Sequence, residues 1–148
     1  MTPLQNKRTV TTPLMAALVF AGALFLAAVN TPTHAQDVDC TSPQTQMAMN
    51  ICSSRDAETA DAVLNEIWST LRAKTRAFDA DANIPEGERI SDQLLTAQRA
   101  WIQYRDGQCN AEGAQYYGGS IRPLIVNTCV TRMTEARTQE LRTMLQEN

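Results

Sequence analysis

Residues 97–109 read AQRAWIQYRDGQC, and this stretch decides the fold class. Its apolar residues recur every three or four positions, as they do on one face of an α-helix. The pattern extends from about Glu86 to Gln115, and its predicted buried stripe consists of Ile90, Leu94, Ala97, Trp101, Tyr104 and Cys109. No segment of the sequence shows sustained alternation of polar and β-branched residues. The fold class is therefore predicted to be all-α.

Two further helical patterns flank this stretch. The first starts near Ser42 and Pro43, because proline suits the first helical position, and the serines Ser53 and Ser54 allow a break in it. Its apolar face comprises Met47, Ile51, Cys52, Ala60, Val63, Leu64, Ile67, Trp68 and Leu71. The third pattern has Ser120 as a cap and continues through Val126, Cys129, Met133, Ala136, Leu141, Met144 and Leu145. Turns at 79–87 and 116–120 separate the patterns, which predicts an antiparallel bundle of three main helices.

The N-terminal segment has the layout of a signal peptide. Lys7 and Arg8 precede an uncharged apolar run at 14–29, which is shorter than the ~20 residues needed to cross a bilayer. Small residues around Ala35 predict cleavage before Gln36. Cys40 has no lipobox-like context. We therefore expect a signal peptide at 1–35, a domain at 36–148 without a membrane anchor, and a periplasmic or secreted location.

Charge and histidine content narrow the function classes. Loss of Lys7 and Arg8 with the signal changes the net charge from −3 to −5, which disfavours nucleic acid and anionic lipid and suits a basic protein partner. The single histidine, His34, also leaves with the signal. Catalytic triads with a histidine base and histidine-ligated metal sites are therefore excluded, and no cofactor or metal is expected.

Four cysteines, Cys40, Cys52, Cys109 and Cys129, are predicted to form two disulfides. Their number is even, no CxxC pair occurs, and the domain is small and exported, so each bond would stabilise it by ~2–4 kcal/mol. The alternative, a nucleophilic cysteine, has no histidine to activate it. Folding the helices back on one another brings three cysteines to the end that carries residues 116–120. This end is braced under all three pairings, among which the spacing does not decide.

The combined motifs resemble the LprI-like lysozyme inhibitor family of small exported helical domains with four cysteines. The residues that carry the resemblance are Asp39-Cys40, TQMAMNIC at 45–52, Ala60-Asp61, Leu64-Asn65, AQRAWIQYRD at 97–106 with Cys109, Gly118-Gly119-Ser120, Cys129, Thr134, Arg137 and Leu141. The resemblance covers the chain from about Asp39 to Leu145. It implies inhibition of lysozyme, and we expect this inhibition to act by binding lysozyme and blocking its cleft.

No residue set points to an enzyme. Glycosidases use two carboxyl groups across a cleft, one of them desolvated. The paired carboxylates of this chain lie near termini or turns, where such groups are solvated or cap helices. These pairs are Asp37 with Asp39, Asp79 with Asp81, and Glu86 with Glu88.

A structural polar seam is predicted along the second helix. Its members are Gln98, Trp101, Tyr104, Arg105 and Asp106, with Asn65, Thr134 and Arg137 as partners on the other helices. The aromatic residues could instead form a ligand-binding cluster, and Arg105 with Asp106 a recognition pair. Helical spacing on apolar faces favours core packing and an ion pair that orders the helix.

The candidate partner-binding segment is the loop before the third helix, with Tyr116, Tyr117, Gly118, Gly119, Ser120 and Arg122. Tyrosine and arginine frequently carry interface energy, and a braced loop loses little entropy on binding. Arg122 or a loop hydroxyl would meet the catalytic carboxylates of a basic lysozyme. The alternative is a plain helix–helix turn. At the level of function, the alternative is a non-enzymatic binding or structural module of the cell envelope.

Overall fold

The computed structural model describes residues 38–147, and the predicted signal peptide at 1–35 lies outside them. The described chain forms three helices, α1 (Gln46–Asp81), α2 (Ile90–Ala114) and α3 (Arg122–Glu147), and contains no strand. Side-chain contacts join α1 to α3 near both of their ends, from Asn50 to Ser120 and from Lys74 to Leu145. Consequently α1 and α3 run parallel to each other and α2 runs antiparallel to both. The predicted all-α bundle of three helices is confirmed.

The start of α1 differs from the expectation. The helix begins at Gln46 rather than near Ser42, because the Thr45 side chain accepts a hydrogen bond from the Ala48 backbone N–H and caps it. The helix then continues without the break allowed at Ser53 and Ser54. The Ser53 hydroxyl donates to the Asn50 carbonyl of its own helix and accepts from the Asn127 amide of α3, which satisfies the buried serine within an unbroken helix.

Asp79, near the end of α1, defines the start of α2. Its buried carboxylate accepts the backbone N–H groups of Ile90 and Ser91, each at 2.9 Å, so α2 begins at Ile90 and not near Glu86. Burial alone would raise the pKa of the Asp79 carboxyl. Hydrogen bonds from Ser91 and Ile90 and the charge of Arg89 outweigh burial and hold this pKa below its usual value. One side chain thereby fixes the connection between two helices.

The apolar core lies in the half of the bundle next to that connection. It is formed by Leu64, Leu71, Leu94 and Leu141, each at most 5 % exposed. Partly buried side chains surround it, namely Ile67, Trp68, Trp101, Met144 and Leu145. Each buried leucine contributes roughly 1.5–3 kcal/mol of transfer free energy.

The other half contains the disulfides. The two predicted bonds are confirmed, and their pairing is Cys40–Cys52 and Cys109–Cys129. The first bond joins the segment before α1 to the second turn of that helix. The second joins α2 to α3 at the base of the connecting loop, and both of its cysteines are fully buried.

Candidate functional site

The loop between α2 and α3 is a tight, internally hydrogen-bonded turn. The Tyr116 backbone N–H donates to the Gly113 carbonyl, and the Gly119 N–H donates to the Tyr116 carbonyl at 3.0 Å. Gly118 adopts φ +75°, a left-handed conformation that a side chain would strain. The Arg122 N–H closes the series by donating to the Gly119 carbonyl. The backbone of residues 116–120 is therefore well defined despite its exposure.

Contacts outside the loop hold it at two further points. The disulfide Cys109–Cys129 closes its base, and the Asn50 side-chain amide of α1 donates to the Ser120 carbonyl at 2.9 Å. Two tyrosines project from this fixed backbone, Tyr117 with 89 % of its surface exposed and Tyr116 with 41 %. The result is an aromatic protrusion on a rigid base.

Arg122 differs from the other loop candidates, since it is the first residue of α3 and is only half-buried. Its Nε atom is buried and has no hydrogen-bond partner among the described residues. Its stem packs over Gly113, where an added Cβ would lie 3.5 Å from Arg122 Cγ and 2.4 Å from Val126 Cγ2. Part of the guanidinium is thus committed to the α2–α3 contact rather than to the loop tip.

A shallow groove adjoins the loop between the first turns of α1 and α3. This loop-end groove has a volume of about 490 Å³ and is lined by Gln46, Met47, Asn50, Ile51, Ser54, Ser120, Pro123 and Asn127. The sequence pattern placed Met47 on the buried face of α1, but it is 73 % exposed. Met47 lies in the first helical turn, where its face opens into this groove. The position of Met47 close to the start of α1 was the sequence feature that could have indicated its exposure.

Arg105 is the centre of the polar seam. Its guanidinium donates to Asp61 of α1 at 3.2 Å, to the neighbouring Asp106 at 2.9 Å and to the Thr134 hydroxyl of α3 at 3.3 Å. It also lies 5.1 Å from the ring centroid of Trp101, within cation–π range. One side chain therefore connects all three helices.

The remaining seam candidates are divided between the interior and the surface. Buried Gln98 accepts a hydrogen bond from Arg137 Nε at 3.0 Å, whereas Asn65 donates to Asp61 of its own helix. Tyr104 does not belong to the seam, because it is 62 % exposed. Gln98 and Arg105 lie on the inward face of α2. Ala97 and Tyr104, one position earlier in each case and part of the predicted stripe, face solvent.

The family model for lysozyme inhibitor LprI matches residues 39–141. The chain belongs to the LprI lysozyme inhibitor family. This LprI-family chain is also 37 % identical over 119 residues to a protein of Rhizobium meliloti (strain 1021) described as uncharacterized, a match that covers 78 % of this chain and 86 % of the relative. No solved structure matches it. The matched span includes both disulfides, the loop and the loop-end groove.

The LprI family name implies a non-enzymatic inhibitor with a protein partner, lysozyme. Within residues 38–147 of this LprI-family chain, no helix has the length and apolar character to cross a membrane. An open groove of about 710 Å³ lies between α1 and α3. Ala60, Val63 and Ala136 contribute its apolar surface, and Asp56 and Arg142 add charge.

Proposed function

We propose that this protein is an exported lysozyme inhibitor that inserts the loop of residues 116–120 into or against the substrate cleft. The observation that carries this proposal is Tyr117, a tyrosine with 89 % exposure on a loop closed by a buried disulfide. A fully exposed aromatic side chain gains most from burial in a partner, and a loop that is already ordered loses little entropy on binding.

Electrostatic attraction supports the choice of partner. C-type lysozymes are basic, and this chain has a net charge of −5 once Lys7 and Arg8 have left with the signal peptide. Opposite net charges accelerate the encounter of two proteins, and salt screens the attraction with a Debye length of ~10 Å at 0.1 M. The association rate of the complex should therefore fall as salt is raised.

Inhibition in this proposal is steric occlusion and requires no reaction by the inhibitor. The hydroxyls of Tyr116, Tyr117 and Ser120 are the side-chain groups on the loop that can donate to carboxylates in the lysozyme cleft. Arg122 is less suited to this role than its residue type indicates, because its Nε atom is buried against Gly113.

The direct test is lysis of a peptidoglycan suspension by c-type lysozyme, titrated with the oxidised protein purified from the periplasm of an expression host. Wild-type protein should inhibit lysis, and Tyr117→Ala should weaken inhibition roughly 10- to 100-fold, as expected for loss of an aromatic anchor. Tyr104→Ala is the matched control, since Tyr104 is a second strongly exposed tyrosine on the outer face of α2. This control should inhibit as wild type does.

Two results would contradict the proposal. Wild-type protein that leaves lysis unchanged at a large molar excess would exclude inhibition of c-type lysozyme. Equal losses for Tyr117→Ala and Tyr104→Ala would show that the loop has no special part in binding.

The second candidate function, a binding module of the cell envelope, is favoured by the open groove between α1 and α3. Its volume of about 710 Å³ and its mixture of small apolar and charged side chains suit a fragment of a polar polymer. Such a module would bind neutral muropeptide analogues in the absence of lysozyme, and its affinity would depend little on salt.

A further inference from the structure

We propose that the loop-end groove is the second half of the lysozyme-binding surface and receives an apolar side chain that lysozyme presents beside its cleft. The inference rests on the proposed function, because it assigns a further contact to the same complex. It places Met47 of α1 with Tyr117 of the loop in one interface.

The loop and the groove form one continuous surface. Ser120 belongs to both, as the last exposed residue of the loop and as part of the groove lining. Two hydrogen bonds between α1 and the α3 side fix the groove walls, one from Asn50 to the Ser120 carbonyl at 2.9 Å and one from Asn127 to the Ser53 hydroxyl at 3.2 Å. A partner seated on the loop therefore meets walls that are already in position.

The two tyrosines of the loop alone offer too little area for a stable complex. At the exposures of Tyr116 and Tyr117, the two side chains together present roughly 300 Å². Stable protein complexes of standard size bury roughly 800 Å² on each partner. The adjoining groove, with Met47 73 % exposed, is the apolar surface that can extend the contact without crossing a charged rim.

The chemistry of the lining selects an apolar occupant. None of the residues that line the groove is charged, and Met47, Ile51 and Pro123 provide its apolar surface. Methionine has an unbranched, polarizable side chain that adapts to the shape of a partner. Contacts of this kind slow dissociation, whereas the long-range attraction that governs association comes from charges elsewhere.

Charge also favours lysozyme over a second copy of this chain as the occupant. Two copies with a net charge of −5 each repel one another, whereas a basic lysozyme is attracted. The groove lies beside the tyrosines of residues 116–120, so the protein that binds the loop reaches it first.

Binding kinetics on immobilised c-type lysozyme test the inference with Met47→Ser. We expect the dissociation rate to rise about tenfold, with the association rate and its salt dependence unchanged. Phe78→Ser is the matched control, because Phe78 is 54 % exposed on the same helix at the opposite end of the bundle. It should change the dissociation rate less than twofold. Met47→Leu should retain most of the wild-type residence time, and circular dichroism checks that each variant is folded.

The outcomes separate the two proposals. Wild-type dissociation for Met47→Ser, together with weakened binding by Tyr117→Ala, overturns the groove and leaves the proposed function standing. Failure of the wild-type protein to bind lysozyme overturns both. Sedimentation that reveals a wild-type dimer abolished by Met47→Ser also overturns the inference, since the groove would then hold a second copy.

Discussion

The two ends of this bundle are held by different kinds of interaction. At the end with residues 116–120, the buried bond Cys109–Cys129 joins α2 to α3, and the leucine core does not reach it. At the opposite end the leucines pack together, and hydrogen bonds from α2 to the Asp79 carboxylate fix the connection between α1 and α2. A covalent bond replaces leucine packing next to the loop that exposes Tyr116 and Tyr117 to solvent. An exposed loop can therefore have a defined conformation without a leucine core beneath it.

The largest effect is expected when the disulfide Cys109–Cys129 is removed. The double variant Cys109→Ser with Cys129→Ser should lose about 3 kcal/mol of unfolding free energy, because the bond closes a loop of 20 residues and the replacement hydroxyls are buried. Lysozyme inhibition should be lost with it. Thermal unfolding followed by circular dichroism measures the first effect and the lysis assay the second.

The other disulfide provides the control for this variant. Cys40→Ser with Cys52→Ser releases only the segment before α1, and Cys40 is exposed. Its loss of stability should be smaller, and inhibition should persist. A result in the opposite order would contradict the assignment of Cys109–Cys129 as the brace of the loop.

At the other end, Asp79→Ala should lower the Tm by about 5 °C, because it leaves the buried Ser91 N–H and the Ile90 N–H without their acceptor. Lysozyme inhibition should be unaffected at temperatures where the variant is folded. Weaker inhibition by folded Asp79→Ala would mean that the two ends are coupled.

The pH dependence of stability provides a second test of the role of the Asp79 carboxylate. Its pKa in the folded protein lies below the ordinary aspartate pKa, so its contribution to stability is complete above the ordinary pKa and is lost as the pH falls through the lowered folded pKa. The Tm difference between wild type and Asp79→Asn should therefore narrow below pH 4. Asp39, whose pKa the Thr41 backbone N–H and hydroxyl also lower, is present in both proteins.

Two glycines of α2 test the helix packing at the loop end. Gly113 lies at the loop end, where a Cβ would meet Val126 Cγ2 at 2.4 Å, so Gly113→Ala should destabilise the protein by about 1–2 kcal/mol. Gly107 has open space around it, and Gly107→Ala should stabilise the helix by about 0.5–1 kcal/mol. Chemical denaturation measures both. Stabilisation by both variants would show that α2 and α3 are not tightly packed at the loop end.

Helical periodicity and cysteine number predicted the fold class, the number of helices and the presence of two disulfides. The start of α2 was not predictable from periodicity, because it depends on a side chain of the preceding helix: Asp79, 11 residues before Ile90, accepts the first N–H groups of α2. On α2 the predicted stripe is correct at Leu94, Trp101 and Cys109 but wrong at two positions. Apolar periodicity favours Ala97 and Tyr104, but the interior accepts Gln98 and Arg105 since both find polar partners on other helices.

The candidate site was predictable in part. Turn residues and tyrosines located the loop, whereas its tie to Asn50 joins residues 70 positions apart and left no local pattern in the sequence. The loop-end groove was missed because Met47 fits the apolar spacing of α1. Apolar periodicity on one helix does not indicate where the neighbouring helix begins or ends. The extent of the neighbouring helix decides whether a terminal residue such as Met47 is buried.

The two disulfides have a mechanical consequence. One lies between α1 and the segment before it, and the other lies between α2 and α3, so no disulfide connects α1 to α2 or α3. If the termini were pulled apart, the chain between Cys52 and Cys109 could extend fully while residues 40–52 and 109–129 stayed locked. Each bond closes its own local ring and neither ring passes through the other. This topology allows either bond to form first.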